Sequence, residues 1–85
     1  MNVHFSATAK KEFQKLDPVI QQQIKTFILK LQSLENPRST GKPLTGSLSG
    51  LWRYRVGKYR LVCDIEDQKI LITVLRVAHR STVYK

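Results

Sequence analysis

The chain has 85 residues, room for one domain with one core, and a fold of that size buries only roughly 60–65% of its unfolded surface. Fifteen Lys and Arg against six Asp and Glu give a formal charge of +9, so self-repulsion works against a compact monomer and a polyanion or an acidic protein is the expected partner. No apolar run approaches the ~20 residues that cross a bilayer, the first residues lack a secretory apolar stretch, and the single cysteine, Cys63, excludes an internal disulfide, so a reducing cytoplasm is the expected compartment.

Residues Asn2–Phe5 read as a short strand that ends at Ser6, a good helix N-cap. Ala9, Phe13 and Leu16 then recur at helical spacing, with Lys10, Lys11 and Lys15 on other faces. Asp17-Pro18 stops this helix and starts a second, with Asp as cap and Pro at the first helical position. Ile20, Ile24, Phe27, Ile28, Leu31 and Leu34 form one stripe, which predicts a helix running to about Asn36-Pro37 and completes a helical hairpin. Residues 37–50 carry the Pro, Gly and Ser of a loop. From Leu51 the period changes to two, predicting strands over Leu51–Val56, Lys58–Glu66 and Lys69–Val77. Gly57-Lys58 suits a two-residue hairpin turn, and Asp67-Gln68 the second turn. No repeat or linker divides the chain. Residues 1–85 therefore read as a single α+β domain: a short N-terminal strand, a two-helix hairpin, then a three-stranded antiparallel meander with the helices packed on one face.

The hairpin turn converts sequence into geometry. With Gly57 and Lys58 at the turn, Val56 faces Tyr59 and Arg55 faces Arg60. Side chains alternate, so Trp52, Tyr54, Val56, Tyr59, Leu61 and Cys63 share one face, and Ile70, Ile72 and Val74 join it as the core. Arg53, Arg55 and Arg60 share the other face with Val62. Like charges opposite one another in a sheet are destabilising. A solvated basic face is the plainer reading. A bound anion that offsets the repulsion is the functional one, and the planar fork of arginine holds a phosphate bidentately. Lys58 at the turn, and Lys10 and Lys11 on the first helix, are further candidates for RNA contact. Leu71 and Leu75 fall on the arginine face as well, so a partner segment or the C-terminal tail is expected to cover part of it.

Residues 76–85, RVAHRSTVYK, add His79, Arg80 and Tyr84. Metal-free RNA cleavage needs a base for the ribose 2′-OH, cations for the pentacovalent phosphorane and an acid for the leaving 5′-oxygen. Histidine is the side-chain type whose unperturbed pKa, ~6.5, suits proton transfer near neutrality, and His79 is the one near this face. Tyr84 is placed to stack on an unpaired base. Two histidines and no carboxylate cluster give a metal or cofactor no support. Trp52 and Tyr54 read as packing residues, Cys63 as a small buried apolar side chain and His4 as structural.

The run GLWRYRVGKYRLVCDI, followed by LRVAHRSTVY, closely resembles the RelE-type toxins of bacterial toxin–antitoxin pairs, and the AKKEFQKLD helix and GKPLTG loop extend the resemblance almost end to end. The resemblance implies the fold just derived. It also implies a toxin that enters the ribosomal A site, cuts mRNA and is silenced by a cognate antitoxin. By resemblance, Arg60 matches the arginine that stabilises the transition state. Arg80 matches the arginine assigned to leaving-group protonation or charge stabilisation, and Tyr84 the tyrosine that orients or stacks on the substrate. Arg53 and Arg55 stand where the best-studied members have lysines. Arginine does not serve as a base, so these two are read as phosphate clamps and His79 as the candidate base. Strict alternation puts His79 on the Arg60 face and Arg80 on the opposite one, so a bend after Val77 is needed to unite them.

The function expected is therefore that of a ribosome-dependent endoribonuclease. Two alternatives stay open: a ParE-like toxin that inhibits DNA gyrase by binding, and a non-catalytic RNA-binding domain. An acidic antitoxin is the expected protein partner, covering either the basic face or the helical hairpin.

Overall fold

In the computed structural model the described residues are 1–81. Strand β1 (Asn2–Phe5) leads into helix α1 (Ala7–Gln14) through Ser6, whose Oγ accepts the Ala9 N–H at 3.1 Å. Helix α2 (Pro18–Ser33) follows at once. Gln21 in its first turn donates its side-chain amide to the Phe13 and Gln14 carbonyls at the end of α1. The sequence extends this helix to Asn36-Pro37, but it ends at Ser33 and Leu34 takes an extended backbone. The difference is physical: Asn36 caps a separate 3-10 turn (Pro37–Ser39) by accepting the Arg38 N–H at 2.9 Å.

The three predicted strands are present as an antiparallel meander of β3 (Trp52–Val56), β4 (Tyr59–Glu66) and β5 (Leu71–His79). The strand β2 (Lys42–Pro43) lies within the predicted loop and pairs with β3, giving the five-stranded order β1-β5-β4-β3-β2. Strand β1 pairs in parallel with β5, from Asn2↔Leu71 to Phe5↔Val74, so the sheet is mixed. At the hairpin, Gly57 has φ 57 while Lys58 keeps a negative φ, as a turn with glycine first requires.

Two expectations for β5 change. The turn before it is a 3-10 segment (Asp67–Lys69), and Ile70 leaves that turn at φ 51 with 60% of its surface exposed, outside the core. Strand β5 also carries a β-bulge. Val62 faces Arg76 while Cys63 faces Val74, so Leu75 is the extra residue.

The helices cover one face of the sheet, where Ala9, Ile24, Leu31, Tyr54, Leu61, Cys63, Ile72, Val74 and Val77 are buried together. Phe27 packs against the Tyr54 ring and Phe5 against Phe13, each pair with centroids 5.5 Å apart. The polar ends of the core aromatics hold the loop down: Tyr54 Oη donates to the Pro37 carbonyl at 2.6 Å and Trp52 Nε1 to the Thr40 carbonyl at 2.8 Å. Gly41 passes so close to β3 that a Cβ would strike the Arg53 carbonyl and the Trp52 indole, and its φ of 80 also favours glycine. Among the described residues no helix is long and apolar enough to cross a membrane.

Candidate functional site

The face of the sheet away from the helices is built rung by rung from the strand register. Lys42 stands opposite Arg53, Arg53 opposite Val62, and Val62 opposite Arg76. The next rung of this face is Arg55, Arg60 and Ala78. At the end of the hairpin the Arg80 N–H donates to the Lys58 carbonyl at 2.7 Å, which sets Arg80 across from Lys58, and alternation carried from Ala78 past the end of β5 assigns it to the side of Arg60.

The floor between the arginines is apolar and closed, with Val62 2% and Ala78 6% exposed. Arg53 and Arg60 are half-buried and Arg55 and Arg80 exposed. The Nε atoms of Arg53 and Arg60 are buried and have no hydrogen-bond partner among the described residues. None of these four arginines is ion-paired to a described carboxylate, whereas Arg38 and Arg76 each hold one. Buried guanidinium nitrogens without an acceptor are costly, and an oxyanion with several lone pairs is the group that satisfies several of them at once. Among the described residues no group of His, Cys, Asp and Glu has the arrangement of a metal site.

Arg53, Arg55, Arg60 and Arg80 are thus brought together, and Lys58 lies at their edge. His79 is not brought to them. The bulge at Leu75 reverses the alternation expected for the end of β5: His79 stands opposite Tyr59, its ring edge-on at 5.4 Å, on the helix side of the sheet. The expected bend after Val77 is therefore replaced by a bulge before it. The His79 Nδ1 accepts the Ser81 N–H at 3.3 Å and lies 2.8 Å from Ser81 Oγ. Lys10 faces an apolar groove of about 620 Å³ with Val3, Phe5, Phe13, Ile24 and Ile28, on the helix side; Lys11 is exposed on α1. Tyr84 lies outside the described residues.

Over residues 3–84 the chain matches the family described as the ParE toxin of type II toxin–antitoxin systems, parDE. The chain belongs to the RelE/ParE toxins. It is 37% identical to Toxin RelG of Mycobacterium tuberculosis over 83 residues, covering 98% of this chain and 94% of that one. To Toxin RelE of the same organism it is 34% identical over 84 residues, covering 99% and 86%. Among solved structures it is similar to a chain of the toxin–antitoxin complex RelBE2 from M. tuberculosis, with TM-score 0.83 and 36% identity over 95% of this chain and 92% of that one.

In this RelE/ParE toxin two residues that support the arginine face are absent from the sequence reading. Glu12 on α1 accepts the Val77 N–H at 2.9 Å and holds Arg76 in a fork, Nη2 at 2.9 Å and Nε at 3.1 Å from both oxygens. Partial burial pushes the Glu12 carboxyl up, but the Arg76 fork and the Val77 N–H outweigh it and hold the group below its ordinary value. Their signal was present in the spacing of β5. Ile72 and Val74 are two apart, Val74 and Val77 three, and the added residue is the bulge.

Proposed function

We propose that the chain is the toxin of a type II toxin–antitoxin pair and cleaves mRNA on the ribosome, with the scissile phosphate held on the Arg53–Arg55–Arg60–Arg80 face. The observation that carries this reading is the pair of buried, unpartnered Nε atoms of Arg53 and Arg60 above the closed Val62–Ala78 floor. Four fixed cations that stay charged at any physiological pH suit the phosphorane, whose oxygens gain negative charge as the 2′-oxygen attacks. Arg53 and Arg55 grip the phosphate, Arg60 stabilises the transition state, and Arg80 stabilises charge on the leaving 5′-oxygen. Tyr84 stacks on a base of the codon. Lys10, Lys11 and Lys58 meet ribosomal RNA or the mRNA backbone. No cofactor takes part.

The 2′-OH proton is the least provided for. His79 belongs to the Tyr59 side and reaches a ribose only around the end of the sheet, so electrostatic stabilisation carries most of the rate and His79 little. The test adds purified protein to ribosomes programmed with a defined mRNA and maps new 5′ ends. Codon-positioned cuts are expected, with Arg60→Ala slower by roughly 10²–10³-fold and His79→Gln within about tenfold of the natural chain. A His79→Gln loss as large as that of Arg60→Ala would return the base to His79.

The family described by the ParE name supports a second reading, a toxin that inhibits DNA gyrase by binding. Ribosomes left uncut, together with inhibited gyrase supercoiling, would select it. The solved relative is a toxin–antitoxin complex, which supports a cognate antitoxin here. An acidic antitoxin complements the +9 charge and covers either the arginine face or the helical hairpin. The site of action is the cytoplasm, where ribosomes are met.

A further inference from the structure

We infer that Glu12 is a positioning residue for Arg80: it fixes the β-bulge whose register puts Arg80, and not His79, on the arginine face. This inference rests on the nuclease reading above. A bulge inserts one residue into one strand and exchanges the two faces for every residue beyond it. Before Leu75, Ile72 and Val74 point to the core; after it, Val77 does so and Ala78 joins Arg60. Without the extra residue the same chain would set His79 on the arginine side and turn Arg80 away.

What holds the bulge is α1. Strand β1 stops pairing at Phe5↔Val74, so the edge of β5 past Val74 has no strand beside it. Ser6 serves the first part of that edge: its N–H donates to the Val74 carbonyl at 2.9 Å and its Oγ to the Leu75 carbonyl at 3.0 Å. Glu12 serves the next part through the Val77 N–H and the Arg76 fork. One carboxylate thus ties both residues that follow the extra one, with charge-assisted bonds that a neutral side chain does not match. Arg80 is three residues beyond this clamp and hydrogen-bonded across the hairpin end to Lys58, so the register set at Val77 is handed on to it.

The experiment compares single-turnover cleavage on programmed ribosomes for the natural chain, Glu12→Ala, Glu12→Gln, Arg80→Ala and the Glu12→Ala/Arg80→Ala pair. Glu12→Ala is expected to slow the cleavage step by up to about 100-fold while leaving the half-saturating ribosome concentration nearly unchanged. Glu12→Gln keeps an oxygen for the Val77 N–H and is expected to lose less. In the Arg80→Ala background, Glu12→Ala is expected to cost nothing more, because its effect runs through Arg80. An equal loss in both backgrounds overturns the inference. Register is read separately in the free full-length chain, by NMR contacts between the Tyr59 and His79 rings, which need no RNA. Their weakening in Glu12→Ala supports the inference, and their persistence at full strength overturns it. If Glu12→Ala does not fold, Glu12→Gln carries the same comparisons. A natural chain that leaves ribosomes uncut defeats the nuclease reading alone, since the ring contacts still report on the bulge.

Discussion

Ile70 sits on a left-handed backbone, φ 51, with its side chain largely in water. A β-branched residue is crowded there by its own Cβ, at a cost of about 1–2 kcal/mol, while glycine is free of the clash but loses more chain entropy on folding. The balance makes Ile70→Gly a stabilising change of about 0.5–1 kcal/mol, read as a rise in the urea midpoint at unchanged slope. Alternation in the sequence put Ile70 in the core because it treats a turn as having no length of its own. The 3-10 turn uses one more residue than the predicted Asp67-Gln68 turn, and Ile70 is spent on leaving it. Arg53, Arg55 and Arg60 were legible residue by residue, since a two-residue turn at Gly57-Lys58 dictates their register. The partners of Trp52 and Tyr54 were not, because the Thr40 and Pro37 carbonyls belong to a loop whose path depends on the finished sheet. Cys63 is the buried apolar residue expected, and burial pushes its thiol up to about 12.

At the scale of elements, the meander and the helical hairpin followed from period and punctuation, and what escaped was how strands meet neighbours distant in sequence. A four-residue β1 says nothing about whether it runs parallel to β5, and a two-residue β2 in a Pro- and Gly-rich loop has no period to detect. The bulge was half visible: apolar residues at Ile72, Val74 and Val77 mark it, but Leu75 and Ala78 are also apolar and blur the spacing. Its clamp has a consequence for stability. Glu12 faces Arg76, the Val77 N–H and, more weakly, Lys15 in its own helix, and its carboxyl lies below the ordinary 4.5 in the folded chain. A depressed carboxylate stabilises the fold above its unfolded value and loses that contribution as pH falls through its folded value. The stability difference between the natural chain and Glu12→Gln is therefore expected to be full at neutrality and to be lost as pH falls below the ordinary carboxylate value of 4.5, measured by urea unfolding at neutral and acid pH.

For the molecule as a whole, the charge is uneven along one face. By the alternation of β4, Arg60 and Val62 share their side with Asp64 and Glu66, so the face is cationic toward the hairpin and acidic at its far end. Such a gradient admits a polyanion at one end and turns it from the other. If four arginines each neutralise one phosphate, affinity for a short single-stranded oligoribonucleotide falls with salt at a log–log slope of about −3, and each single Arg→Ala change at 53, 55 or 60 makes the slope shallower by about 0.7. A slope that stays at the natural chain's value in all three variants would mean that the remaining cations among the 15, and not this face, hold the strand. The pairing of β1 with β5 has a different consequence, in time and not in space. The sheet joins residues 2–5 to residues 71–74, a contact across nearly the whole chain, and such closures are slow and come late in folding. During synthesis β1 has to wait unpaired until β5 has left the ribosome, and Ser6 and Glu12 wait with it, since their partners are Leu75, Arg76 and Val77. A half-made chain therefore has no bulge, no clamp and no assembled arginine face.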